Sequence, residues 1–147
     1  MEARSALSLG SMYGGLCLGP VNTSAVHALS YGLGGKYHIP HGLANAILLP
    51  EVLRFNLSAD PKRHADVARA LGVTIVGTDE EVALAGIEII SHLSRSCGVL
   101  QSLTEIGIPE AVLPELADIA MNVTRLLKNN PRVVGREDAI EIYKKLL

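Results

Sequence analysis

Apolar residues recur along this chain at intervals of three and four, broken by short polar or glycine-rich stretches, and alternation with a period of two is nowhere sustained. The pattern predicts a succession of helices. The first spans residues 2–18, with glycines at 10, 14 and 15 that read either as admitting a neighbouring helix closely or as marking a bent or frayed segment. Asn22-Thr23-Ser24 offers N-cap oxygens before a helix over 25–33, and Gly34-Gly35 reads as its stop. A third helix runs from Gly42 to about Asn56, with a kink or break expected at Pro50. Asp60-Pro61 opens a helix through Leu71, and Thr78 or Asp79 with Glu80-Glu81 opens another reaching Ser96. Beyond a linker from Leu103 to Pro109, one helix is expected over 110–127 and a last one from Gly135 to the end. Val73-Thr-Ile-Val76 is the only β-branched run and is too short to argue a sheet. The fold class is therefore all-α, a helical bundle in a single domain over residues 1–147.

Composition sharpens this picture. At 147 residues the chain can bury a core of its own, and with 48% hydrophobic residues but only 3% aromatic ones that core must be aliphatic. A net charge of -2 without a basic stripe argues against nucleic acid or an anionic membrane as partner. No apolar run reaches the roughly 18–20 residues of a membrane span. Met1-Glu-Ala-Arg4 does not read as a secretory signal. Cys17 and Cys97 read as buried thiols in a reducing compartment, so the cytoplasm is the expected location.

The candidate chemistry lies in two histidines. His27 and His41 stand fourteen positions apart, which a continuous helix would stretch to about 21 Å. Two donors to one metal ion must each approach it to about 2.0–2.1 Å. Gly32, Gly34, Gly35 and Pro40 lie between them and can supply a break that folds one helix back on the other. Tyr31 follows His27 by one turn and shares its face; it reads either as a packing side chain or as a hydroxyl that relays a proton. His38 reads as an exposed loop residue, His64 and His92 as surface or partly buried, and Glu51 is not counted as a ligand.

Several blocks together resemble the metal-binding signature of the iron-containing alcohol dehydrogenase family, within the dehydroquinate synthase-like superfamily. They are Val26-His27-Ala28, Leu33-Gly34-Gly35, Pro40-His41-Gly42, Asn45-Ala46, Leu48-Leu49-Pro50 and Arg54-Phe55-Asn56. Leu103-Thr104-Glu105-Ile106-Gly107-Ile108, Asn130-Pro131-Arg132 and Glu137-Asp138 extend the resemblance toward the C-terminus. It implies the family's helical, metal-holding half without the nucleotide-binding α/β half. Of the family's four metal ligands, two histidines map onto His27 and His41. The other two, an Asp and a His one turn apart, are expected upstream of residue 1 and not within the chain. Tyr31 stands where many relatives carry a His near the substrate, and Gly32 stands where many carry a Pro. The resemblance further implies a divalent metal (Fe2+ or Zn2+), NAD(P) in the intact enzyme, a small alcohol or aldehyde as substrate, and a homo-oligomer. The isolated chain is expected to be inactive. Two alternatives remain open: a non-catalytic truncated helical domain, or the same half of a maleylacetate reductase or glycerol dehydrogenase.

Overall fold

The computed structural model describes residues 1–147 and contains helices and no strand. The helices are α1 (Glu2–Val21), α2 (Ala25–Tyr37), α3 (His41–Asn56), α4 (Pro61–Ala70), α5 (Asp79–Ser96), α6 (Leu113–Met121), α7 (Thr124–Leu127) and α8 (Arg136–Lys144). Short 3-10 turns, Leu57–Ala59 and Glu110–Val112, follow α3 and precede α6. The expected all-α class is what the chain adopts. None of the helices is long and apolar enough to cross a membrane.

Two aliphatic clusters hold the bundle together. The larger joins α2, α3, α6 and α8 through Leu29, Leu33, Ile47, Leu48, Leu116 and Tyr143. Tyr143 is fully buried, and its hydroxyl donates to the Leu29 carbonyl at 2.7 Å, so the one polar atom it brings inside is satisfied. Burial pushes its phenol above the ordinary tyrosine range. The smaller cluster packs α4 on α5 through Ala65, Ala68, Val82 and Ala83. Here the backbones approach so closely that a Cβ at Gly86 would lie 2.4 Å from the Ala68 Cβ.

Local start signals act as the sequence suggests at α4 and α5, whereas Ser24, at the N-cap of α2, makes no side-chain cap hydrogen bond. Asp60 accepts from the Arg63 N–H at 3.0 Å with Pro61 at the first position of α4. Thr78 and Glu81 form a reciprocal capping box on α5. The two hydrogen bonds Thr78 donates to the Glu81 carboxylate, from its backbone N–H and its hydroxyl, hold that group below its usual pKa. At α8 the Gly135 N–H donates to Asp138 Oδ2 at 2.9 Å, half of the same arrangement.

Other expectations are corrected. Gly34 and Gly35 do not stop α2, which continues to Tyr37 and ends at His38 with φ +54°. Leu29 and Leu33 are fully buried on this helix, and their packing outweighs the roughly 1 kcal/mol that each glycine costs a helix. Pro50 does not break α3, which runs through it; the proline is buried against the bundle. The single helix expected over 110–127 is a 3-10 turn followed by α6 and α7. Asn122 caps the break by donating its side-chain amide to the Asp118 carbonyl at 2.9 Å, a local bond that competes with helix continuation. Helix α1 outruns its expected end at residue 18, yet every one of its residues is exposed. A Cβ at Gly10, Gly14 or Gly15 would meet nothing within 4 Å, so these glycines seat no neighbouring helix here. Cys17 on α1 and Cys97 at the end of α5 are exposed rather than buried thiols.

Candidate metal centre

His27 lies in the first turn of α2 and His41 is the first residue of α3. Between them the chain reverses through His38, Ile39 and Pro40. The left-handed backbone of His38 lets its N–H donate to the Gly34 carbonyl and that of Ile39 to the Leu33 carbonyl, and the extended Pro40 then launches α3. Helices α2 and α3 pack against each other through the larger core cluster. The reversal required by the fourteen-residue spacing is therefore present, although it falls four residues after Gly34 and not at the glycine pair.

This fold brings the two imidazoles together. Their ring centroids are 5.1 Å apart, with the planes at 60°. Two imidazoles bound at about 2.0–2.1 Å to a tetrahedral ion have centroids roughly 5 Å apart, so the observed separation fits two donors of one site. His27 is half-buried, and its pKa is lowered by desolvation first and by the neighbouring His41 second. Both effects favour the neutral ring that can donate a lone pair. The Tyr31 ring lies 6.4 Å from that of His41 and is 43% exposed, so it flanks the pair without being locked into the core.

The surroundings supply no third donor: nowhere do three or more His, Cys, Asp or Glu residues gather in a metal-binding cluster. His38 is exposed at the end of α2. Glu51 is ion-paired with Arg54 at 3.1 Å, and Arg54 also holds Glu88 of α5. His92 is exposed on α5. One Asp-x-x-x-His spacing does occur within the chain, Asp60 and His64, against the expectation that it holds none. The two residues are engaged locally: Asp60 caps α4, and His64 Nδ1 contacts the Asp60 carbonyl at 2.8 Å. His64 lines an apolar groove between α4 and α5, whereas His27 lines a separate cleft with Asn22, Thr23, Ser24 and Asn45. Asn45 is the site-adjacent residue that candidate-ligand reasoning misses; its place one turn beyond His41 on α3 is the signal that could have found it.

Comparison with known proteins gives a consistent result. The pattern described as the Fe-containing alcohol dehydrogenase family, C-terminal, matches residues 1–147. The chain is 35% identical to 1,3-propanediol dehydrogenase of Klebsiella pneumoniae, covering 99% of this chain and 38% of that protein. It is 34% identical to lactaldehyde reductase of Escherichia coli (strain K12), covering 97% of this chain and 37% of that protein. Among solved structures, it is similar to an alcohol dehydrogenase from Oenococcus oeni with a TM-score of 0.86 and 31% identity, covering 90% of this chain and 35% of that one. It is likewise similar to a 1,3-propanediol oxidoreductase, with a TM-score of 0.82 and 36% identity, over 86% and 33% of the two chains. The chain thus spans little more than a third of the length of these relatives. Helix content, the histidine reversal and the sequence blocks agree with this match, and the chain belongs to the Fe-containing alcohol dehydrogenase family, matching its C-terminal part.

Proposed function

We propose that this chain is the metal-holding, C-terminal part of an NAD(P)-dependent alcohol dehydrogenase that interconverts small alcohols and aldehydes, and that it is inactive alone. The observation that carries this reading is the convergence of His27 and His41, at a centroid separation suited to a shared ion, in a chain with no third donor beside them. His27 and His41 hold a divalent cation, Fe2+ or Zn2+, as neutral imidazoles; the remaining donors come from outside these residues. When bound, the cation supplies a Lewis acid for the alcohol oxygen, and NAD(P) supplies the hydride acceptor. Tyr31 borders the reacting space, where its hydroxyl orients the substrate or passes a proton. The names of the relatives, which refer to 1,3-propanediol and lactaldehyde, support a small hydroxylated substrate. A cytoplasmic setting is the one we propose, in keeping with the net charge of -2.

Helix α1 supports association with further protein. It presents Leu7, Leu9, Met12, Tyr13, Leu16, Leu18 and Val21 to solvent, and a helix that is apolar on all sides belongs in an interior. A homo-oligomer is the form we propose.

The test is an NAD(P)H-coupled assay with 1,3-propanediol and lactaldehyde on two proteins. One is the chain alone, supplied with Fe2+ or Zn2+. The other is a fusion that places the preceding part of the Klebsiella relative before this chain. The expected result is turnover by the fusion only, lost on His41→Ala. Turnover by the chain alone, or a fusion indifferent to His41→Ala, would refute the reading.

A further inference from the structure

Asn45 touches His41 of the histidine pair, and neither the fold nor the proposed chemistry accounts for it. It follows His41 by one turn on α3, so the two side chains share a face. Its Nδ2 lies 3.1 Å from His41 Nε2, and the residue lines the same cleft as His27. Its Oδ1 is buried and has no hydrogen-bond partner. The side chain therefore makes a single hydrogen bond, the one to the imidazole.

The chemistry of that contact is restrictive. An amide nitrogen only donates, so His41 Nε2 must offer a lone pair, and a neutral imidazole with its lone pair on Nε2 carries its proton on Nδ1. From this we infer that Asn45 is a positioning residue: it fixes His41 in the Nδ1–H tautomer and stands as a placeholder on Nε2 until a divalent cation takes that lone pair. The inference rests on the reading of His27 and His41 as donors to one ion. The exchange is balanced. His41 would offer its Nε2 lone pair to a bound cation, the Asn45 N–H would give up one hydrogen bond, and no proton would have to leave, because Nε2 carries none. The unpartnered Oδ1 loses nothing when the amide turns away. His41 is exposed, so without Asn45 its ring would sample both tautomers and would spend part of its time with a proton on the nitrogen the cation needs.

The test uses the full chain labelled with 15N, with the imidazole nitrogens read by long-range 1H–15N correlation at about pH 8, above the ordinary histidine pKa. Wild type is expected to show His41 with Nδ1 protonated and Nε2 bare. Asn45→Leu should drift toward a mixture of tautomers. Asn45→Asp, which can only accept, should move the proton to Nε2. Adding Zn2+ to wild type should shift His41 Nε2 and the Asn45 side-chain amide together. His64, whose Nδ1 is held by the Asp60 carbonyl, should keep its shifts in every variant and so reports that the fold is intact. A wild-type His41 protonated on Nε2, or with the same mixture as Asn45→Leu, would overturn the inference. So would an Asn45 amide that stays in place while Zn2+ shifts His41. If Zn2+ shifts neither imidazole, the donor reading fails and the placeholder role with it, while the tautomer comparison still decides whether Asn45 sets the state of His41.

Discussion

Single side chains carry much of what can be checked in this molecule. Tyr143 is buried in the main core with its hydroxyl on the Leu29 carbonyl, so Tyr143→Phe removes a hydrogen bond while preserving volume. That substitution is expected to cost about 1 kcal/mol in urea denaturation, in keeping with the usual net worth of such a bond. Thr78 caps α5 through Glu81, and Thr78→Ala is expected to cost about 1 kcal/mol as well. The capping box also has a pH signature. The folded pKa of Glu81 is depressed by Thr78, so its contribution is complete above the ordinary carboxylate value and is lost as pH falls through the lower folded value. Titration of the Glu81 carboxyl by NMR should find it below its ordinary value in wild type and returned toward it in Thr78→Ala. An unchanged pKa would show that the cap is not what lowers it. At this scale the histidine pair was legible in the sequence, because two donor residues around a glycine- and proline-containing reversal form a recognisable pattern. Asn45 was legible as part of the family-like block Asn45-Ala46 and as a residue one turn beyond His41, but its contact with the imidazole emerges only from the fold.

Helix boundaries divide into those set locally and those set by packing. Asp60, Pro61 and Thr78 act within three residues of themselves, and the starts of α4 and α5 could be read directly from the chain. The end of α2, the passage of α3 through Pro50 and the break between α6 and α7 depend on neighbours or on a competing side-chain bond. Gly34-Gly35 and Pro50 are strong interrupters only where tertiary contacts leave the choice to local preference, and in α2 and α3 they do not. The clearest demand that packing makes on one residue is at Gly86. An alanine there would place its Cβ 2.4 Å from the Ala68 Cβ and 2.8 Å from its Cα, and so would force α4 and α5 apart. Gly86→Ala is expected to destabilise the chain by about 1–3 kcal/mol despite the better helix propensity of alanine. A thermal denaturation midpoint equal to or above that of wild type would contradict this packing.

At the scale of the whole molecule, the chain joins a well-packed bundle to an apolar helix, α1, that packs on nothing within it. The all-α class followed from periodicity alone. The fate of α1 did not, because its sequence asks for an interior that the other 126 residues do not provide, by subtraction of residues 1–21 from the 147-residue chain. Analytical ultracentrifugation should accordingly find the chain self-associated, and replacing Leu9, Met12 and Leu16 together by Gln should shift it toward monomer; a monomer at all concentrations would contradict the oligomer we propose. The central claim is that the bundle orients His27 and His41 toward one cation while lacking that cation's other donors. Isothermal titration with Zn2+ of wild type, His27→Ala and His41→Ala tests it most directly. The account predicts one equivalent bound weakly by wild type, with binding lost in both variants alike. Retention of the wild-type isotherm in either variant would contradict it.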